Sequence, residues 1–270
     1  MIAASAANAG VVSLTGNSYS QDFQSFGTGS VTNAVVPVTT MTEASTLTGG
    51  GTVNGWYVYG QGYTTSNTKW FPQDTGTNNS GGFRSMYSAA SGSTAANYAL
   101  GAQGSTSAKP LNYGTVIKND TGADITGATI SFDAFMNRNP SSNVNTTSFS
   151  YLISSTAVAA TSGTGAGTFH NSAGTWTSVA DLAFSTPSTG TGAPGTQAAI
   201  NPMLSLGSKS AALSGFTWAS GSYIYLRWTD LDETGSDATM GVDNFTISVP
   251  APGAIALLGV AGLVGSRRRR

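Results

Sequence analysis

Four segments of this chain alternate apolar and polar residues with a period of two. Ile130, Phe132, Ala134 and Met136 alternate with Thr129, Ser131 and Asp133. Phe149, Tyr151 and Ile153 alternate with Ser148, Ser150 and Ser154. Ile224, Leu226 and Trp228 stand opposite Tyr223, Tyr225 and Arg227, and Phe245, Ile247 and Val249 stand opposite Asn244, Thr246 and Ser248. Successive side chains of a strand point to opposite faces, so each segment reads as a half-buried strand. No stretch of the body carries a convincing helical period or a fixed-length repeat.

Turn chemistry separates these segments. Asn119-Asp120-Thr121-Gly122 and Ser220-Gly221 read as tight turns. Residues 161–174 and 186–194 read as long Gly/Ser/Thr loops. Only 9% of the 270 residues are charged, yet 39% are hydrophobic. A disordered chain lacks that apolar fraction, and a sandwich of this length can bury a core without staples. The expected fold is all-β, an antiparallel two-sheet β-sandwich of jelly-roll or concanavalin-like form, followed by a short C-terminal hydrophobic helix.

Several chemistries are excluded by composition. The chain has no Cys, which removes disulfides, thiolate metal sites and a Cys nucleophile. Four of its eleven basic residues are Arg267, Arg268, Arg269 and Arg270; the remaining seven face twelve acids, a balance of −5. Such a body has no electrostatic footprint for nucleic acid. His170 is the only His, so a metal site needing two is excluded, and no G-x-S-x-G elbow accompanies it for a Ser-His-Asp triad. It reads as a solvated loop residue.

The two ends read as addresses rather than fold. Ala7-Asn8-Ala9 followed by Gly10 is an A-x-A cleavage pattern. Residues 1–9 are therefore read as the remnant of a signal peptide whose start lies upstream of Met1. At the other end, Val249-Pro250-Ala251-Pro252-Gly253 precedes an apolar run and four Arg. That run is roughly 21 Å long as a helix, short of a comfortable bilayer span. The Arg cluster would stay cytoplasmic under the positive-inside rule. The chain then divides into residues 1–9, a sandwich over 10–248 and a tail over 249–270.

This tail resembles the PEP-CTERM sorting signal of Gram-negative bacteria. The matching parts are Val249, Pro250, Pro252 and Gly253, the run Ala254 to Val264, and Arg267 to Arg270, with Ala251 where the family usually has Glu. The resemblance implies an exosortase-type membrane enzyme as partner, transient inner-membrane anchoring, tail removal, and a place at the cell surface or in the exopolysaccharide matrix. The body resembles the jelly-roll domains often found ahead of such tails. Gln21-Asp22-Phe23 with Phe26, Tyr98-Ala99-Leu100-Gly101, Tyr113-Gly114, the turn Lys118 to Gly122, Leu226-Arg227-Trp228, Asp230, Asp232 and Val242-Asp243-Asn244-Phe245 carry that likeness. It supports the fold more than any activity.

Two sets of residues are candidate sites in the body. Asp230, Asp232, Asp237 and Asp243 crowd a glycine turn and could offer the oxygen ligands of a structural calcium ion, with a solvated acidic loop as the plainer reading. Trp56, Tyr59 and Trp70, among Gly, Thr and Asn, could stack on sugar rings, or fill the core. If Trp56 lies on a strand, Tyr57 faces the opposite side. The expected role is a non-enzymatic structural or adhesive body with no catalytic residues. The alternatives are a carbohydrate-binding module, with extracellular polysaccharide as partner, and a glycoside hydrolase. The latter needs two carboxylates about 5 to 9 Å apart, and only Glu43 and Glu233 are Glu.

Overall fold

The alternation read from the sequence is realised as two packed sheets. The structure, a computed structural model, describes residues 10–26, 34–36, 42–44, 47, 53–60, 68–91, 95–106, 110–155 and 176–251. Among these the only helical element longer than one residue is a single 3-10 turn, Ala180–Leu182.

The first sheet, A, contains β1 (Val12–Leu14), β4 (Thr42–Glu43), β5 (Trp56–Gly60), β9 (Leu111–Asn119), β11 (Thr146–Ser154), β12 (Thr177–Ser178), β13 (Phe184–Ser185) and β15 (Tyr223–Asp230). Its path is β12-β11-β15-β9-β5-β4, with β1 on β9 and β13 on β11. The second sheet, B, contains β2 (Ser18–Gln21), β3 (Ala34–Val36), β6 (Thr68–Asp74), β7 (Gly82–Ser88), β8 (Asn97–Gln103), β10 (Ile125–Arg138), β14 (Ala199–Trp218) and β16 (Thr239–Ser248). Its path is β14-β10-β16-β8-β7-β6-β3, with β2 on β16. Most pairings are antiparallel, as expected, but β1 joins β9 and β6 joins β7 in parallel.

The residues assigned to inner faces meet between the sheets. Ile224, Leu226 and Trp228 of sheet A pack with Ile130, Phe132, Ala134, Met136, Phe245 and Ile247 of sheet B. Trp228 is the hub: it stacks on Trp56 (5.8 Å, 20°) and Tyr113 (6.0 Å, 12°) and meets Phe132, Phe149 and Phe245 edge-on. Such pairs add to the large area that aromatic rings bury.

Sheet A also buries part of its outer face. Tyr57, Tyr59, Val116 and Tyr225 form a second cluster there, which explains why β5 and β9 show no polar alternation. On β16 the phase of alternation changes. Met240 and Val242 point inward, then Phe245 and Ile247 do. The change falls at a bulge, where the pairing with β10 shifts between Ser131 and Asp133 and Asn244 adopts φ +49°. An extra residue in one strand has this effect, and Asn tolerates the left-handed region better than most side chains.

Candidate polar site at one end of the sandwich

The C-terminal ends of β8, β10 and β15 and the N-terminal ends of β9, β11 and β16 lie together, since Asp230 pairs with both Leu111 and Thr147, and Thr239 pairs with Arg138. The segment 231–238 crosses there from sheet A to sheet B. It is stitched to the β10–β11 loop. Thr146 N–H donates to Glu233 Oε1 (3.1 Å), Asn143 Nδ2 to the Thr234 carbonyl (3.0 Å), and Ser236 N–H to Ser141 Oγ (2.7 Å). Gly235 turns the segment at φ +104°, with Ser141 and Ser142 packed where a Cβ would sit.

Asp230 shares the parity of Trp228 and points into the space between the sheets. It is 1% exposed. Its Oδ2 accepts the Gly104 N–H at 2.6 Å, while its Oδ1 has no hydrogen-bond partner. Asp237, 2% exposed, has Oδ1 3.5 Å from Asn145 Nδ2 and an unpartnered Oδ2. Half-buried Glu233 likewise engages Oε1 and leaves Oε2 without a partner. Burial, and then the charge of Glu233, raise the pKa of both aspartates, Asp237 to about 7. Burial raises that of Glu233 as well.

A denser polar network lies beside these carboxylates on the outer side of sheet B. Arg84 Nε donates to Asp74 Oδ2 at 2.7 Å, and Arg84 Nη2 to Gln103 Oε1 at 2.6 Å. Gln103 Nε2 and Gln197 Nε2 both donate to the Asp237 carbonyl, at 3.1 and 3.0 Å. Arg138 donates to the Gly76 carbonyl and to Gln197. These bonds satisfy groups that would otherwise be costly to bury. A pocket of about 220 Å³ opens onto this end, lined by Asn79, Gln103, Gly104, Ser105, Ser236 and Asp237 among others.

The structure therefore splits the four aspartates that the sequence grouped. Asp230 and Asp237 come together, Asp232 is exposed, and Asp243 belongs elsewhere. Asp243 lies on β16, four residues beyond Thr239, about 13 Å at strand rise. It is fully buried at the bulge opposite Asp133. Glu233 takes the place in the group that was expected for Asp243. Its position in the segment marked it, but its side chain's reach to the Thr146 amide could not be read from spacing. Among the described residues, no three acidic or histidine side chains form a ready-made metal cage.

The three aromatics proposed for sugar stacking are buried, Trp56 and Trp70 between the sheets and Tyr59 in the outer cluster of sheet A. Trp56 and Trp70 are 0% exposed and Tyr59 is 5% exposed. Trp56 sits on Phe23, Trp228 and Phe245, and Trp70 meets Phe26. Trp56 faces inward and Tyr57 outward, as the strand parity required. A ring enclosed by its neighbours offers no face to a sugar, so these residues do not form the expected platform. Glu43 and Glu233 are not brought together either. Glu43 is on β4, three strands from β15, and accepts the Gly55 and Gly10 amides at 2.7 and 3.1 Å.

Of the sorting-signal residues, Val249 is buried and its N–H donates to the Asn17 carbonyl at 2.8 Å, whereas Pro250 and Ala251 are exposed. Pro252, Gly253 and Arg267 to Arg270 lie outside the described residues, as do His170, residues 1–9 and the expected C-terminal helix. No helix among the described residues is long and apolar enough to cross a membrane.

No family model and no curated protein matches this chain. Among solved structures, the enzymatically active domain of tailspike protein 4 of bacteriophage CBA120 is similar at TM-score 0.33 and 9% identity. The match covers 73% of this chain and 19% of that one, so the chain spans about a fifth of the solved protein it resembles.

Proposed function

We propose that this chain is an exported bacterial protein, sorted by its tail to the cell surface or the extracellular matrix, whose sandwich is a structural or adhesive body. The observation that carries this reading is the three-part tail: the Val249-Pro250-Ala251-Pro252 box, the short apolar run and the four terminal Arg. A run too short to span comfortably, stopped by four cations, suits transient anchoring before cleavage. Two features of the body support it. The last strand ends at Ser248 and Val249 is still buried against the body, so the box leaves the sheet at Pro250 and Ala251, which are exposed. The absence of Cys from the sequence leaves no thiol to misoxidise outside the cell.

The test is the intact mass of the full chain recovered from cell, membrane and culture fractions of a bacterium with an exosortase-type enzyme, and of a strain lacking it. The expected result is a product shortened near the Pro box in the outer fractions, and a longer membrane-bound form when the enzyme is missing. Recovery of the chain with Arg267 to Arg270 still attached, soluble inside the cell, would overturn the proposal.

A further inference from the structure

We infer that the 230–237 segment is a divalent-cation site of calcium type, with Asp230, Glu233 and Asp237 supplying carboxylate oxygens and Leu231 its main-chain carbonyl. This goes beyond the sorting proposal and does not depend on it.

Three observations carry it. First, each of the three carboxylates uses one oxygen on a protein donor and keeps the other buried with no partner: Asp230 Oδ1, Glu233 Oε2 and Asp237 Oδ2. A buried anionic oxygen without a donor is costly, and a bound cation removes that cost. Second, the charges do not balance. Among the described residues at this end, the acids Asp74, Asp230, Asp232, Glu233 and Asp237 outnumber the guanidinium groups of Arg84 and Arg138. A bound divalent cation would offset that excess of acids. Arg84 is already committed to Asp74. Third, the absence of a side chain at Gly104 lets two of the ligand groups pack directly against its backbone. A Cβ on it would press on the Leu231 carbonyl oxygen and lie 2.6 Å from Asp237 Oδ2. Gly104 and Asp237 also line the pocket that gives this end access to solvent.

The donor set is all oxygen, which selects a hard cation; calcium tolerates six to eight such ligands in loose geometry, whereas magnesium demands a tight octahedron. Among the described residues, no three acidic side chains already stand as a finished metal cage. The ion therefore draws the carboxylates together, with water completing its shell.

The experiment uses the purified full chain stripped with a chelator, then titrated with calcium alone or magnesium alone at neutral pH. Binding is followed by calorimetry and by the thermal midpoint. The expected result is one calcium ion per chain, a midpoint that rises and saturates with calcium, and a much weaker response to magnesium. Asp237→Asn and Glu233→Gln should weaken binding at least about tenfold, since ligand charge sets affinity in such sites. Asp243→Asn, outside the group, should bind like the parent. Far-UV circular dichroism checks that each variant is folded. Because Asp237 is buried and its variant could unfold, half-buried Glu233 is the deciding substitution. A crystal grown with calcium locates the ion by its anomalous signal. A folded parent that takes up no calcium at millimolar concentration, an ion found elsewhere, or unchanged binding in folded Glu233→Gln would each overturn the inference.

Discussion

Arg84 Nε lies 2.7 Å from Asp74 Oδ2, with the two side chains 0% and 3% exposed. The guanidinium also donates to the Gly82 and Ser80 carbonyls and to Gln103. Its pKa is pulled down by burial and held up by Asp74. Removing one partner of a buried pair leaves the other's charge stranded. Arg84→Met should therefore cost about 3–5 kcal/mol in urea unfolding. Adding Asp74→Asn to that variant should recover part of the loss. A loss below about 1 kcal/mol for the single variant would show that the pair is not shielded from water.

Asp243 sets a pH dependence. Burial raises its pKa to about 7, against the lowering effect of the Asn244 amide and Asn97, while the nearby charges of Asp133 and Asp22 raise it further. An acid whose folded pKa lies above its unfolded value binds more protons in the native state. Its contribution is complete below about pH 4 and lost as pH rises through about 7. Stability from this group should fall by up to about 4 kcal/mol between pH 4 and 8. Asp243→Asn should flatten that part of the profile and be the more stable protein at pH 8, as read from urea midpoints. Parallel profiles for the two proteins would refute the assignment.

Two facing glycines make room for a sulfur. Gly101 and Gly241 pair across β8 and β16, and Met86 Sδ covers both. A Cβ at Gly241 would lie 2.6 Å from the Leu100 carbonyl oxygen and 2.6 Å from Met86 Sδ. Gly241→Ala should cost about 1–3 kcal/mol by overpacking. Shortening Met86 to Ala in the same chain should not restore stability, because the backbone clash remains. Full rescue would show that the sulfur alone occupies the space.

The body should fold without the tail. Val249 is the last residue held by the sheet, through Asn17, and Pro250 and Ala251 are exposed. A chain ending at Ala251 should keep its thermal midpoint within about 2 °C, as truncation beyond the last buried, hydrogen-bonded residue generally allows. A drop of about 10 °C or more would mean that residues 252–270 are part of the folded unit.

Much of this architecture was legible because one face of a strand is greasy and the other wet. That rule found the cores of β10, β11, β15 and β16. It failed where both faces are covered, as in β5, whose five residues are all buried. It failed also for β14, twenty residues at a sheet edge that are mostly exposed. There Gly207 and Gly215, at φ +91° and +77°, interrupt any regular alternation. At the polar end, the sequence showed that acids crowd one segment but not which of them converge. Asp243 is near in number yet carried away along β16, whereas Gly104 and Gln103 arrive from β8, far off in the chain. The aromatics around Trp56 were recognisable as a cluster, but residue type alone does not say whether a ring is enclosed or bare.

The placing of β16 has a mechanical consequence. It is the strand nearest the tail, yet it lies inside sheet B with β10 on one side and β8 and β2 on the other. A pull at Val249 is directed along the strand, while the cross-links of an antiparallel ladder run perpendicular to it. The load therefore shears many of them at once on both flanks, instead of peeling them apart one by one. A tether fixed at this point would drag on a strand flanked on both sides and not on a frayable edge.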